Sequence, residues 1–189
     1  MKRLLFICLL GISVSSHVYC QSAISYTDVI TVSDASADDL YKKALQWFVY
    51  TFKSSSNVIQ HKDPTAKLII GNATVKYDTK VFMSQNCTSG YIDYVIKLEF
   101  KDNRFKYTIT DFYHRGSGIG CNGQAYEFGY ILTSEPCNNN YYPPARLPKS
   151  FITNLCSDMK SVIDREAKSL IVSLTNDLPK IQAAPSDDW

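Results

Sequence analysis

The segment from Tyr91 to Tyr113, YIDYVIKLEFKDNRFKYTITDFY, constrains the fold more than any other part of this chain. It contains two runs of alternating apolar and polar residues, which are joined by Asp102 and Asn103. Both of these residues tolerate a positive φ, which a type I′ turn requires at its two central positions. The segment therefore predicts a β-hairpin in which Lys101 lies opposite Arg104.

This register sorts the side chains of the hairpin onto an apolar face and a polar face. A slip of one residue would exchange the two faces and bury the charges, so we expect the register to be firmly specified. One acidic residue, Asp111, falls on the apolar face opposite Tyr94, near the end of the ladder. The predicted apolar pairs are Phe100–Phe105, Leu98–Tyr107, Ile96–Ile109 and Ile92–Tyr113, and the predicted polar pairs are Glu99–Lys106 and Lys97–Thr108.

An antiparallel sheet that is apolar on one side needs helices to cover that side. Ser36, with Asp39 three residues later, predicts the capped start of a helix from Ala37 to about Phe52. We therefore expect an α+β fold, with a single antiparallel sheet of about five strands and two helices packed on one face. The other predicted elements are strands at 28–32, 58–60, 67–77 with a bulge at Gly71, and 125–133, and a helix at 151–178 capped by Ser150.

The first 20 residues have the pattern of a secretory signal peptide, with a basic start, an apolar run at 4–12 and a cleavage site after Cys20. Lipoprotein acylation at Cys20 is the alternative, which the bulky Tyr19 before it disfavours. The apolar run is too short to span a bilayer. We therefore expect an exported protein, periplasmic or extracellular, without a transmembrane span after cleavage.

Removal of residues 1–20 takes away Lys2 and Arg3 and leaves 18 basic and 18 acidic residues. A chain without net charge is a poor candidate for binding nucleic acids, which normally requires excess positive charge. The remaining sequence predicts one domain at 21–180, with a cysteine-containing excursion at 114–148 and a mobile tail at 181–189.

Four cysteines remain in the exported chain. An even number in an oxidising compartment indicates two disulfides, for which three connectivities exist. The hairpin register, when it is extended beyond the ladder, brings Cys87 close to Cys121. We therefore predict the disulfides Cys87–Cys121 and Cys137–Cys156.

Four pieces of the chain, spread over roughly residues 30–113, carry a resemblance to a known family. They are Leu40, Tyr41 and Trp47 in the first helix, VIQ at 58–60, IIG at 69–71, and the KD-x-R-[FY]-x-Y turn at Lys101–Tyr107. Through them the chain resembles a family of exported Bacteroidetes proteins, a domain of unknown function with a TBP-like fold, which usually carries a glycine in place of Asn103. The resemblance implies that fold and an exported location, and it transfers no activity, cofactor or catalytic residue. The fold does not imply DNA binding, because a fold does not determine function.

Other motifs have simpler explanations than a catalytic or metal site. The G-x-G-x-x-G at 118–123 lacks a following helix, so we interpret it as a flexible glycine loop. His114 with Cys121, Cys137 and Cys156 lacks the short C-x₂₋₄-C pairs typical of structural zinc, and we predict no metal and no cofactor.

Asp111, His114 and Arg115 lie together at the end of the hairpin, where they could serve acid–base chemistry or form a polar strand end, and we favour the polar strand end. His61 is expected in a solvated turn.

The polar face of the hairpin is the candidate binding face, because Tyr91, Val95 and Phe112 cluster at one end of it. The alternative is that the 114–148 excursion covers this cluster. The first functional hypothesis is a non-catalytic binding or accessory module of the cell envelope, with an unknown protein or ligand as its partner. The second is a small exported hydrolase or redox enzyme that uses His114 and a free cysteine.

Overall fold

The computed structural model describes residues 22–81, 85–117, 126–135, 137 and 148–181. The predicted signal peptide, Cys20, the glycine loop, Cys121 and all but the first residue of the predicted tail lie outside the described residues. The elements are β1 (Tyr26–Thr31), α1 (Ala37–Thr51), α2 (Ser55–Val58), β2 (Ile59–Asp63), β3 (Leu68–Tyr77), α3 (Gln85–Thr88), β4 (Gly90–Lys101), β5 (Arg104–Gly116), β6 (Gly129–Tyr130), α4 (Lys149–Asn176) and a closing 3₁₀ turn (Leu178–Lys180).

The strands form one antiparallel sheet in the order β1-β5-β4-β3-β2, and the two-residue β6 adds to β5 beyond the end of β1. The two long helices, α1 and α4, contribute to one core with the same face of this sheet. The predicted α+β architecture is therefore confirmed. In the described part of the chain, no helix has an apolar stretch long enough to cross a bilayer.

The predicted hairpin register is correct over its first half. Lys101 lies opposite Arg104, and the ladder continues through Phe100–Phe105, Leu98–Tyr107 and Ile96–Ile109. The predicted pair Ile92–Tyr113 is wrong, because Ile92 lies opposite His114 and Asp93 lies opposite Tyr113. β5 therefore contains one extra residue, relative to β4, between the pairs Val95–Thr110 and Asp93–Tyr113.

This β-bulge changes the face on which the last residues of β5 lie. Asp111 and Phe112 together occupy the place opposite Tyr94, and Asp111 has a left-handed backbone with φ of 58°. Phe112 and His114 consequently lie in the core, 2% and 0% exposed, while Asp111 is exposed. The predictions that Phe112 lies on the polar face and Asp111 on the apolar face are wrong.

The backbone of Asp111 gives a test of the bulge. Asp111→Val is expected to lower the free energy of unfolding by about 1–2 kcal/mol, because a β-branched residue is strained at positive φ. Asp111→Gly should leave the free energy unchanged or raise it, since glycine adopts this conformation freely. Urea unfolding of the three proteins measures the difference, and equal stability of the valine and glycine variants would contradict the bulge.

The tip of the β4–β5 hairpin is docked onto the segment that leads into α1. Asp102 Oδ1 accepts a hydrogen bond from Ala37 N at 2.9 Å, in the first turn of α1, and Asn103 Oδ1 accepts one from Ala35 N at 3.1 Å. The backbone of Asn103 donates to Ala35 O at 2.7 Å and accepts from Val32 N at 2.9 Å. Of the two turn residues only Asn103 has a positive φ, 62°, so the predicted type I′ turn is wrong.

Helix α1 is capped as predicted and lies close to the sheet. Ser36 Oγ accepts a hydrogen bond from Asp39 N at 3.1 Å and donates one to the Asp39 carboxylate at 2.8 Å. Phe48 lies against Gly71 of β3, where an added Cβ would be only 2.9 Å from Phe48 Cε1. Glycine therefore permits this close approach, and the irregularity predicted at Gly71 lies in its partner strand β2 instead.

Three tyrosines on the core face of the sheet bind carboxylates of α4. Burial raises the pKa of the Tyr77 and Tyr94 hydroxyls above its ordinary value, so both remain donors at any physiological pH. These contacts fix the helix over the sheet. The pairs are Tyr77–Asp158 at 2.8 Å, Tyr94–Glu166 at 2.8 Å and Tyr26–Asp164 at 3.4 Å.

Helix α4 begins one residue before its predicted cap. Pro148 is the N-cap residue and Lys149 the first helical one, so the prediction that Ser150 caps the helix is wrong. Ser150 lies in the first turn. The predicted apolar stripe is buried at Leu155, Met159, Val162, Ile163, Ala167, Leu170 and Leu174, and Ile171 is half-buried.

Candidate functional site

The face of the sheet opposite α1 and α4 is called the open face. Its side chains alternate along β3, β4 and β5 with those of the core. It therefore carries most of the polar face that the sequence predicts for the hairpin. From the hairpin turn to the opposite end, its rows are Lys101 and Arg104; Leu68, Glu99 and Lys106; Ile70, Lys97 and Thr108; Asn72, Val95 and Thr110; Thr74, Asp93 and Tyr113; and Lys76, Tyr91 and Arg115.

Three tyrosines lie at the end of the open face away from the hairpin turn. Tyr91, Tyr113 and Tyr130, together with Asp93 and Arg115, are called the tyrosine end. The rings of Tyr113 and Tyr130 meet edge to face with centroids 5.1 Å apart, and the Arg115 guanidinium lies 5.8 Å from the centre of the Tyr91 ring. Tyr91 is 43% exposed and Tyr130 58%, so their rings remain available to a partner.

Asp93 joins the polar groups of the tyrosine end. Arg115 Nη2 donates to Asp93 Oδ1 at 2.8 Å, Arg115 Nε donates to Oδ2, and Thr74 Oγ1 donates to Oδ1 at 2.6 Å. The hydrogen bonds from Arg115 hold the pKa of the Asp93 carboxyl below its ordinary value. The carboxyl is therefore ionised at neutral pH, and the pair is suited to hydrogen bonding with a ligand rather than to proton transfer.

A concavity of about 270 Å³ lies beside this pair, at the bulge in β5. The exposed Asp111, Tyr113 and Tyr130 are among the residues that line it. Aromatic surface beside fixed donors and acceptors is the usual composition of a small binding site. The remaining lining residues include Asn72, Thr74, Asp93 and Val95.

Two of the three residues predicted for the binding face lie on the open face. Tyr91 is exposed and Val95 is half-buried, but Phe112 packs in the core, 5.7 Å from the Tyr94 ring. Tyr113 and Tyr130 take the place that the sequence assigned to Phe112. The acidic residue inside the predicted apolar ladder, Asp111, is the one sequence signal that could have revealed the shift.

His114, which the alternative hypothesis uses as an acid–base group, is buried and hydrogen-bonded at both ring nitrogens. Nδ1 accepts a hydrogen bond from Phe128 N at 3.2 Å, so the proton resides on Nε2, which donates to Thr88 O at 2.8 Å. Burial lowers its pKa to about 4 and keeps the ring neutral. His114 connects two backbone segments, and the structure does not bring it together with Asp111 or Arg115, which lie on the open face.

The cysteines of the described residues are in disulfides. Cys137 and Cys156 are bonded as predicted, and Cys87 is also disulfide-bonded. Since Cys121 lies outside the described residues, the Cys87–Cys121 pairing stays a prediction. Among the residues that the structure describes, there is therefore no free thiol that could act with His114 as the enzyme hypothesis requires.

Among the histidine, cysteine and carboxylate side chains within 22–81, 85–117, 126–135, 137 and 148–181, no group of three or more could hold a metal ion. His61 is exposed on β2 rather than in the predicted turn.

Comparisons with known proteins agree with the architecture. The sequence model of a family described as a domain of unknown function (DUF4468) with TBP-like fold matches residues 26–115, from β1 to the end of β5. No curated protein matches the sequence.

Two crystal structures share the fold. A TBP-like protein from Parabacteroides distasonis superposes with a TM-score of 0.56 and 11% identity, over 82% of this chain and 94% of that chain. A DUF4468 family protein from Bacteroides ovatus gives a TM-score of 0.50 and 10% identity, over 87% of this chain and 90% of that chain. At these identities the similarity shows the fold alone.

Proposed function

Because the chain belongs, through residues 26–115, to the DUF4468 family with a TBP-like fold, a domain of unknown function, we propose a function from the geometry of its open face. The protein is a non-catalytic binding module of the cell envelope, and its partner binds the tyrosine end. A single domain at 21–180, exported by a cleaved signal peptide, is part of this proposal.

The observation that carries the proposal is the exposure of Tyr91 and Tyr130 beside a fixed ion pair. Tyrosine combines a large apolar ring with a hydroxyl, and it is enriched among residues that dominate binding energy at interfaces. Asp93 and Arg115 hold each other in place and keep further lone pairs and N–H groups for a partner. The combination favours a partner with both flat apolar surface and hydrogen-bonding groups.

Two features support an exported location. The disulfide between Cys137 and Cys156 is typical of proteins in oxidising compartments. The pattern of residues 1–20 predicts secretion.

The proposal is tested by immobilising the protein and measuring which envelope proteins and ligands it retains. Tyr91→Ala/Tyr130→Ala is expected to reduce retention of the specific partner about tenfold or more, because interface tyrosines often contribute 2 kcal/mol or more. Mass spectrometry of the retained material, with wild-type protein in parallel, gives the ratio.

Tyr50→Ala is the matched control, since Tyr50 is 76% exposed on α1, on the opposite side of the sheet. It should retain the partner as the wild type does. Undiminished retention by the Tyr91→Ala/Tyr130→Ala protein would remove the tyrosine end from the proposal. Val95→Asp, within the same face, should weaken retention in the same direction.

A further inference from the structure

Three basic side chains lie together at the hairpin end of the open face without an ionic partner. Lys101 and Arg104 are directly opposite each other across the β4–β5 ladder, and Lys106 is next to them on β5. All three are exposed, and none forms an ion pair among the described residues. Like charges directly opposite each other in a sheet are destabilising, so this arrangement costs stability that a bound anion would offset.

The nearest carboxylates are already engaged. Glu99 lies opposite Lys106, as the sequence predicts, but its carboxylate pairs with Lys97 at 3.1 Å. Asp102 Oδ1 accepts the hydrogen bond from Ala37 N at the start of α1. Among the described residues, neither acid therefore forms an ion pair with any of the three cations.

The same three side chains line a concavity of about 490 Å³, which is called the cationic concavity. Its volume lies in the range of small-ligand sites. Three cations and one carboxylate, Glu99, give its lining an excess of two positive charges, although the exported chain as a whole has none. Its other lining residues are Val29, Ala66, Phe100 and Phe105.

Lys101 and Arg104 differ from their neighbours in the hairpin turn in having no contact of their own. Asp102 binds α1, and Phe105 and Tyr107 are buried in the core. Lys101 and Arg104 are exposed and make no side-chain hydrogen bond or ion pair within the described residues, so both side chains are available to a ligand.

We propose that the cationic concavity binds a phosphoryl group. A phosphate monoester carries close to two negative charges and several acceptor oxygens, which matches two or three adjacent cations better than a single carboxylate does. The guanidinium of Arg104 can bind two phosphate oxygens at once, and Lys101 and Lys106 act as point charges beside it.

The charge of the rest of the open face limits the ligand to a terminal or isolated phosphoryl group. A long polyanion extending across the sheet would meet the exposed Asp111, and Asp93 and Arg115 neutralise each other and offer it no further positive charge. The open face therefore lacks the continuous positive charge that a nucleic-acid strand requires, and the site is separate from the binding proposed for the tyrosine end.

The test is calorimetric titration of the protein with pyrophosphate at low ionic strength. Lys101→Gln/Arg104→Gln is expected to weaken binding at least about tenfold, as the loss of two charge-assisted contacts implies. Lys42→Gln/Lys53→Gln removes the same charge from exposed positions on and just after α1 and should bind like the wild type. Equal weakening in both double variants, or no binding by the wild type, would overturn the proposal.

Two further measurements complete the test. The Lys101→Gln/Arg104→Gln protein should unfold thermally at the same or a higher temperature than the wild type, which separates lost binding from lost folding. Sedimentation with phosphatidylcholine vesicles that contain phosphatidic acid distinguishes the sources of the phosphoryl group. If the wild type sediments and the variant does not, the ligand is a lipid headgroup; pyrophosphate binding without sedimentation assigns a soluble phosphoryl compound.

Discussion

Acidification from pH 7 to pH 4 is expected to lower the free energy of unfolding by about 3 kcal/mol through His114 alone. The pKa of His114 is about 4 in the folded protein, because burial disfavours the charged ring, and about 6.5 in an unfolded chain. Between these two values the unfolded state binds a proton that the folded state does not, so stability falls as the pH falls. The slope from this residue should fade as the pH rises above 6.5 or falls below 4.

His114→Asn separates this effect from the titration of carboxylates. Asparagine Oδ1 can accept the hydrogen bond from Phe128 N, but the side chain is too short to donate to Thr88 O. The variant should therefore be less stable than the wild type at pH 7, by about 1–3 kcal/mol, and should lose the slope between pH 6.5 and 4. Urea unfolding at several pH values measures both quantities.

His61→Asn is the matched control, because His61 is exposed on the edge strand β2. Its pH dependence should follow the wild type. If the His114→Asn protein kept the wild-type slope between pH 6.5 and 4, His114 would not be the buried neutral group that the structure places in the core.

The sequence predicted the sheet well where neighbouring residues determine the structure. Strict alternation from Ile96 to Ile109 specifies one register around Asp102 and Asn103, because a slip would bury charges. Ser36 and Asp39 specify the start of α1 for a similarly local reason. The packing of two apolar helices on the apolar side of the sheet then follows.

The predictions from sequence were wrong at the turn and at the bulge, where contacts between distant segments determine the backbone conformation. Asp102 turns toward Ala37, a residue 65 positions away, and this contact selects a backbone other than type I′. Asp111 gives no clear local signal of a positive φ, because aspartate also adopts the ordinary backbone conformations. The sequence indicated the bulge only by placing an acidic residue at a position predicted to be apolar. Local propensity does not specify such features.

The observed candidate site differs from the predicted one because β5 contains one extra residue at the bulge. The bulge moves Phe112 and His114 into the core, and it moves Tyr113 and Arg115 onto the open face. The predicted binding residue Phe112 and the alternative acid–base candidate His114 therefore both lie in the core instead of on the polar face. Tyr130 could not be assigned to this site from sequence, since β6 is only two residues long.

Removal of the disulfide between Cys137 and Cys156 is expected to lower the free energy of unfolding by about 3 kcal/mol. The bridge joins residues 19 positions apart, and it restricts the unfolded chain accordingly. Urea unfolding of Cys137→Ala/Cys156→Ala without reductant measures the loss. Reduction of the wild type would not isolate the effect of this bridge, because Cys87 is disulfide-bonded as well and its bond would also be broken.

The loss should be local as well as global, because the bridge helps to hold the segment that carries Tyr130. Ile131 N donates to Phe112 O at 2.8 Å, and Leu132 N donates to Cys137 O at 2.7 Å. In the Cys137→Ala/Cys156→Ala protein, hydrogen exchange at these two amides should accelerate more than exchange along β4. Uniform acceleration, or a loss under about 0.5 kcal/mol, would contradict this role. Since Tyr130 belongs to the tyrosine end, the same variant should also bind the envelope partner more weakly, whereas pyrophosphate binding at Lys101 and Arg104 should not change.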